Sequence, residues 1–360
     1  MNYGSWAGWD WLKANVPVMC NWDGGIDYFL DPDDYTKKAD GTNSDAANID
    51  YAGDAMAIVK KIYKKEYKVG NDRYVYFCER KVDDDFHAVG FNVLGKERDY
   101  MLIPMFYGSI DSNGKMRSIA GQWSCLTASG SAADSANGKA IGTAEQYTAI
   151  QAASGKALFF GGALTNTLAD ICILLSKSTD SQTAFGSGMC STYVEDKAQH
   201  YGTKINTVIG GGQFYGSNDN KSFNKIFHSC VMGSYMLWQR DPYMLLINGR
   251  IKVSPDYTYD LTGAKYLDTG VNLAKNGYYA TTQVVKDFGA VPNDEIACSS
   301  ATGYCDHTWV NAEISAVSLR FGTCYHGAGD GLWARPLNGV AAFAGWHYGA
   351  SKLLPAPAAA

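Results

Sequence analysis

Long apolar runs are missing from this chain. Those it has, such as Ile171 to Leu175, are far too short to cross a bilayer core of about 30 Å. Its first residues, Met1 to Trp11, lack the basic start and apolar stretch of a secretory signal. An excess of positive charge is missing too. The 31 basic residues face 36 acidic ones, net −5, which argues against a protein built to neutralise nucleic-acid phosphates. Proline is scarce, with 9 Pro against 39 Gly, so the turn-forming excess belongs to glycine alone.

No CxxC occurs. The nine cysteines (Cys20, Cys78, Cys125, Cys172, Cys190, Cys230, Cys298, Cys305 and Cys324) are odd in number and scattered. That is not a disulfide framework or a zinc ribbon; it implies reduced, core-like cysteines in a chain folded in a cytosol. Catalytic signatures are absent as well. There is no GxSxG elbow and no HExxH. Gly210-Gly211-Gly212 is followed by Gln213, where a phosphate loop needs Lys. The six histidines, His87, His200, His228, His307, His326 and His347, are widely spaced, and Cys305 with His307 lacks a second close pair to share a metal. The cluster Asp31 to Asp34 fails as a calcium loop, because the sixth residue from Asp31 is Thr36 rather than Gly. Neither a metal nor a cofactor is expected, and nothing in the sequence asks for an enzyme.

What is present is glycine and aromatic surface: 39 Gly, 24 Tyr and 9 Trp, with 46% apolar and 19% charged residues. There is ample material for a core, and disorder is excluded as a global description. Glycine tolerates unusual dihedrals and aromatics supply contact area at low entropy cost, which suits a loop-built recognition surface. Met56 to Val59, Ile62-Tyr63 and Tyr74 to Phe77 read as strands, with Gly70-Asn71-Asp72 as a turn. Leu102 to Tyr107 is another, its Pro104 marking a sheet edge or strand end. Thr127 to Lys139 reads as a loop. A helix follows, with Thr143 and Gln146 at capping-box spacing and a stop near Gly155. A second helix places Leu164, Leu168, Ile171, Cys172 and Leu175 on one face. Beyond Ser176 no long helical period remains. Met244 to Val253 carries Asn248-Gly249 between two strand-like runs, a two-residue hairpin. Strands, two helices and a long loop-rich half make an α+β chain rather than alternating βαβ units.

The segment Ser318 to Lys352 holds Gly322, Gly327, Gly329, Gly331, Gly339, Gly345 and Gly349 among Phe321, Tyr325, Trp333, Phe343, Trp346 and Tyr348. That spacing fits neither a helix nor a long strand, so some of these rings should face solvent as a binding surface. The segment resembles the variable region of diversity-generating-retroelement proteins of phages and prophages. It offers Leu319-Arg320-Phe321-Gly322, Gly327, Gly331, Leu337, Trp346 and Gly349-Ala350 in the family's order. Thr323 stands where the family usually has a second Gly, and the first free stretch is one residue short. Asp27 to Gly41, Arg117 to Gly121 and Leu175 to Ala184 are similar to segments of phage tail-fibre proteins that carry this module.

The resemblance implies a C-type-lectin-like domain over 51–355, with variable region 318–352, behind an N-terminal attachment segment, 1–50. Residues 356–360, with Pro355, read as a flexible tail. It also implies a receptor-binding protein of the virion tail, made in the host cytoplasm. Its partners would be a host cell-surface protein or glycan and other phage tail proteins, and its assembly a closed ring, most simply a homotrimer, with no nucleic acid and no membrane insertion. Tyr325, His326, Asp330, Trp333, Arg335, Asn338, Phe343, Trp346, His347 and Tyr348 are the candidate contacts. Phe321, Leu337 and Leu353 are expected in the core, and Arg320 as a buried arginine with a satisfied partner. Two alternatives stand beside this. One is a structural tail or baseplate subunit with no ligand of its own, its rings packing against other subunits. The other is a formylglycine-generating type of oxidase, for which Cys298 and Cys305 are the only close cysteine pair, at a spacing unlike that of the enzymes.

Overall fold

The computed structural model describes residues 6, 8–122, 124, 141–191, 211–219, 223–297, 305–345 and 347–357. The expected loop Thr127 to Lys139, the cysteines Cys125 and Cys298, and Trp346 lie outside the described residues.

The chain is mixed α+β, mostly strands with few helices. Its largest sheet is built around Gly53–Lys60, whose first seven residues are all buried. The strand order is Leu158–Phe159, Lys352–Pro355, Tyr100–Pro104, Gly53–Lys60, Pro17–Asn21 and Ile26–Phe29, all neighbours antiparallel. Pro104 closes its strand, where a missing N–H costs the ladder nothing.

This sheet corrects two expected boundaries. Residue 50 does not divide the molecule: Pro17–Asn21 pairs along Gly53–Lys60, and Trp11, Leu12, Val18, Met19 and Tyr35 belong to the same core cluster as Leu164 and Leu353. Nor is Pro355 part of a free tail. It ends a buried strand, and the Ala356 N–H donates to Tyr100 O at 3.1 Å.

Tyr63–Val69 and Asp72–Cys78 form a separate hairpin turned at Gly70, whose φ is 59°. Helix α1 (Asp10–Lys13) is one turn. Helix α2 (Thr143–Ala153) starts one residue earlier than the sequence pattern implied. Gly142 is the N-cap, and its N–H donates to the Glu145 carboxylate at 2.8 Å, leaving Thr143 as the first helical residue. Helix α3 (Gly162–Ser176) buries nearly its whole circumference, as an apolar helix at the centre of a domain must. Helices α4 (Ser181–Phe185) and α5 (Cys230–Gly233) are short.

The later half forms two more sheets. Leu267–Asn272, Arg250–Val253, Trp238–Ile247 and Ala316–Arg320 lie in that order, with Tyr348–Gly349 joining Trp238-Gln239 in parallel. The Asn248-Gly249 turn is as expected, with φ of 49° and 78°. The pairing of Trp238–Ile247 with Ala316–Arg320 skips between Asp241 and Leu245, at Pro242, which has no N–H to give. The third sheet sets Gly277–Val285 between Gly289–Ala297 and Thr308–Val310. Among the described residues no helix is long and apolar enough to cross a membrane.

Candidate binding surface

The C-terminal segment begins on a floor of buried charge. Strand Ala316–Arg320 carries Arg320 inward, where its guanidinium donates to the Asp241 carboxylate, to Asn166 Oδ1 at 3.1 Å and to Gly162 O at 3.1 Å. Arg335 reaches the same Asn166 Oδ1 at 2.8 Å and donates to Leu332 O and Ala334 O at 2.8 and 2.9 Å. Helix α3 thus supplies one amide that holds two arginines. Phe321, Leu337 and Leu353 lie in the core beside them.

Two glycines make room for buried carboxylates. Gly322 and Gly331 have φ of 154° and 153°, a region glycine alone occupies readily. A Cβ on Gly322 would sit 2.5 Å from the Asp330 Cβ, and one on Gly331 would sit 2.2 Å from the Asp306 carboxylate oxygens. Asp306 accepts from the Trp333 N–H at 2.8 Å and Ser181 Oγ at 3.2 Å. Burial raises its pKa to about 7. Asp330 accepts from the Thr323 N–H at 3.2 Å, and burial pushes its carboxyl well above the ordinary range.

Above this floor runs a continuous ribbon of rings. Tyr278 and Trp309 face each other across Gly277–Val285 and Thr308–Val310. Tyr278 meets His307 at 5.0 Å, and His307 meets Trp309 at 5.2 Å between centroids. Trp309 stacks on His326 at 4.7 Å, and His326 touches Tyr325 at 4.4 Å. Tyr325 meets His347 at 5.5 Å, His347 meets Tyr348 at 4.4 Å, and Tyr348 meets Phe343 at 4.8 Å. Tyr278, Tyr325 and Phe343 are 56%, 37% and 43% exposed. Trp238, buried beneath, packs edge-on to Trp309 at 5.6 Å. Arg240 lies 5.3 Å from the Tyr348 ring centre and donates to Phe343 O and to Thr143 Oγ1, tying the last loop to helix α2. Burial pushes His326 and His347 down to about 4, with a neighbouring imidazole adding to each shift, and burial also lowers His307. At neutral pH the ribbon therefore offers uncharged imidazoles among phenol and indole rings.

The structure gathers Tyr325, His326, Phe343, His347 and Tyr348 into this ribbon and leaves Asn338 exposed nearby in sequence. It corrects three other expected contacts. Asp330, Trp333 and Arg335 are 0%, 1% and 0% exposed. Trp333 is held inside because Arg73 lies over its ring at 5.2 Å and Arg335 at 5.8 Å. Arg73 is itself fixed by Glu66 and Asp170, which also pair with the buried Lys64. Asp330 faces inward against Gly322, and Arg335 is consumed by backbone carbonyls and Asn166. Trp346 lies outside the described residues.

Sequence reasoning missed Tyr278, His307 and Trp309. They lie outside the glycine-rich segment, and only the antiparallel register places them against His326. The one signal available was a short apolar strand bearing Trp309 just before that segment. No family model matches this chain, and no curated protein matches it in sequence.

Proposed function

We propose that this chain is a phage-type receptor-binding protein, with a C-type-lectin-like fold, that uses the Tyr278-to-Phe343 ribbon to attach to a host cell surface. The observation that carries the reading is the ribbon itself: eight rings from three separate stretches of chain, held at the surface over an ion-paired floor. Aromatic patches of this kind mark binding surfaces rather than ordinary monomer exterior.

The C-terminal segment supports it in part. Of the positions that match the family's fixed residues, Arg320, Gly322, Gly331 and Leu337 are buried and Gly327 is half-buried. Of the free positions, Tyr325, His326, Asn338, Phe343 and His347 are exposed or half-buried, while Asp330, Trp333 and Arg335 are buried. Two longer helices set among antiparallel strands in a mixed α+β chain are compatible with a lectin-like domain. The uncharged imidazoles and rings suit a protein loop or a glycan better than a strongly acidic polymer. In this reading the chain is no enzyme, and it acts in the virion tail beside other tail proteins, in several copies and most simply as a trimer, so that weak contacts multiply.

The direct test is binding of the fluorescently labelled chain to a panel of bacterial cells. Saturable binding to some strains, competed by unlabelled chain, is expected. Binding that is absent from every strain, or that never saturates, contradicts the receptor role and favours a structural tail subunit.

A further inference from the structure

We infer that Asp330, buried beneath the ribbon, is a positioning residue: it donates a hydrogen bond to His326 Nδ1 and so fixes a ring in the middle of the ribbon with its other N–H turned outward. The inference rests on the ribbon as the binding surface. It gives a role to a residue that the structure takes out of the contact set.

The backbone holds the two side chains in one relation. His326 and Asp330 are separated only by Gly327–Gly329, a single 3₁₀ turn, and the Asp330 N–H closes it on Gly327 O at 3.1 Å. The turn is clamped from outside. Gln182 of helix α4 donates from Nε2 to Gly327 O at 2.7 Å and to Asp330 O at 2.9 Å. The Gly327 N–H donates to Cys190 O at 2.9 Å.

Two unmet atoms face each other across this turn. His326 Nδ1 and Asp330 Oδ1 are both buried, make no hydrogen bond within the described residues, and lie 3.9 Å apart. Buried polar atoms are ordinarily satisfied. Neither of these reaches solvent, so neither can meet a ligand, but each can supply what the other lacks. The gap is about 1 Å longer than a hydrogen bond. Rotation of the imidazole about χ2, a broad and soft torsion, closes it.

Elementary chemistry then places the proton. Asp330 is 0% exposed, and its Oδ2 accepts from the Thr323 N–H at 3.2 Å. The titratable groups that feel its charge are Asp306, Cys190, Cys324, Tyr107 and Tyr325, and none of them is a cation. A carboxylate isolated in this way takes up a proton rather than stay charged. Around His326 stand Trp238 and Trp309, with the imidazoles of His307 and His347, which burial keeps uncharged at neutral pH. The proton on Oδ1 therefore faces the lone pair of Nδ1. A neutral imidazole carries one N–H, so with Nδ1 accepting, the hydrogen sits on Nε2. That nitrogen is not buried and makes no hydrogen bond within the described residues, in a side chain 29% exposed. Between Trp309 and Tyr325 the ribbon thus presents one directed donor, and its ligand must set a carbonyl or hydroxyl oxygen against it.

NMR of the full chain labelled with 15N-histidine and 13C-aspartate, at pH 7, reads the pair without any ligand. His326→Gln and Asp330→Asn assign the two signals by their loss. Asp330 Cγ should resonate as a protonated carboxyl, and His326 should show a protonated Nε2 and an Nδ1 shifted by hydrogen bonding. Asp330→Asn, whose amide N–H replaces the acid O–H, should keep both nitrogen signals. Asp330→Ala leaves Nδ1 without a donor and should move them. Melting curves report whether each variant is folded; if the Ala variant is not, the parent and Asn spectra decide. An ionised Asp330, a proton on His326 Nδ1, or unchanged nitrogen signals in a folded Asp330→Ala protein would overturn the assignment. On the strains that bind the labelled chain, Asp330→Ala should weaken binding by about threefold or more, the worth of one net hydrogen bond, and Asp330→Asn should restore it. Undiminished binding by Asp330→Ala, with its nitrogen signals moved, would overturn the positioning role. Absence of binding to every strain contradicts the receptor reading instead, and the spectra still decide the pair.

Discussion

Replacing Trp333 by Ala separates an interior role from a display role for the most conspicuous ring of the C-terminal segment. Trp333 is 1% exposed and lies between the Arg73 and Arg335 guanidiniums, 5.2 and 5.8 Å from its ring centre. Truncating a buried Trp or Phe costs about 3–5 kcal/mol. Two cation–π contacts in a water-excluded setting add roughly 1–2 kcal/mol to what the ring contributes, although part of that overlaps the packing loss. Taking about 4 kcal/mol, and an unfolding entropy of roughly 2.1 cal/mol/K per residue over 360 residues, or about 0.8 kcal/mol/K, the melting temperature falls by about 5 °C. Phe343→Ala is the matched control. That ring is 43% exposed, so its loss costs about 1 kcal/mol or less, or roughly 1 °C. Differential scanning calorimetry on the two variants decides. A Trp333→Ala protein that melts with the parent, or a Phe343→Ala protein that loses as much as Trp333→Ala, would refute the placement of these rings.

Two further outcomes follow from the buried carboxylates. Gly331→Ala puts a Cβ 2.2 Å from the Asp306 oxygens at a φ of 153°, so urea unfolding should show a loss of about 2 kcal/mol or more; an unchanged midpoint would contradict the clash. The folded pKa of Asp306, about 7, lies above its ordinary 3.8, so the folded state binds the extra proton between about pH 4 and 7 and this group's contribution is lost as pH rises through 7. Asp306→Asn should therefore melt near the parent at pH 4 and above it at pH 8. His326 and His347, held down to about 4, work in the opposite sense: their contribution is full above the ordinary 6.5 and is lost as pH falls toward 4. The variant should then show a steeper acid-side fall than the parent, and a variant less stable than the parent at pH 8 would contradict the inversion.

The sequence carried its local elements well. The Asn248-Gly249 turn and helix α3 were legible because each rests on contacts within one or two turns of chain. The start of helix α2 slipped by one residue because a glycine serves as cap and the deciding contact comes from the Glu145 side chain. The resemblance places a boundary at residue 50, because nothing in the local sequence shows that Pro17–Asn21 pairs with Gly53–Lys60. In the C-terminal segment, glycine spacing suggests freedom to display side chains. At Gly322 and Gly331 its physical use is different: the missing Cβ leaves space for Asp330 and Asp306. The same spacing puts Trp333 and Arg335 outside, since Arg73, Asn166 and Asp170, which hold them inward, are far away in sequence. Tyr278 and Trp309 became part of the surface only through strand register.

The most direct measurement of the central claim is hydroxyl-radical footprinting of the chain, free and bound to cells, read by mass spectrometry residue by residue. Tyr67, Tyr74 and Tyr76 are an internal control, because they are about as exposed as the ribbon rings but lie on the hairpin outside it. Binding through the ribbon predicts protection of Tyr278, Tyr325, Phe343 and His347 in the bound sample, with oxidation of the three hairpin tyrosines unchanged. Protection of the hairpin, with the ribbon oxidised as in the free chain, would contradict it.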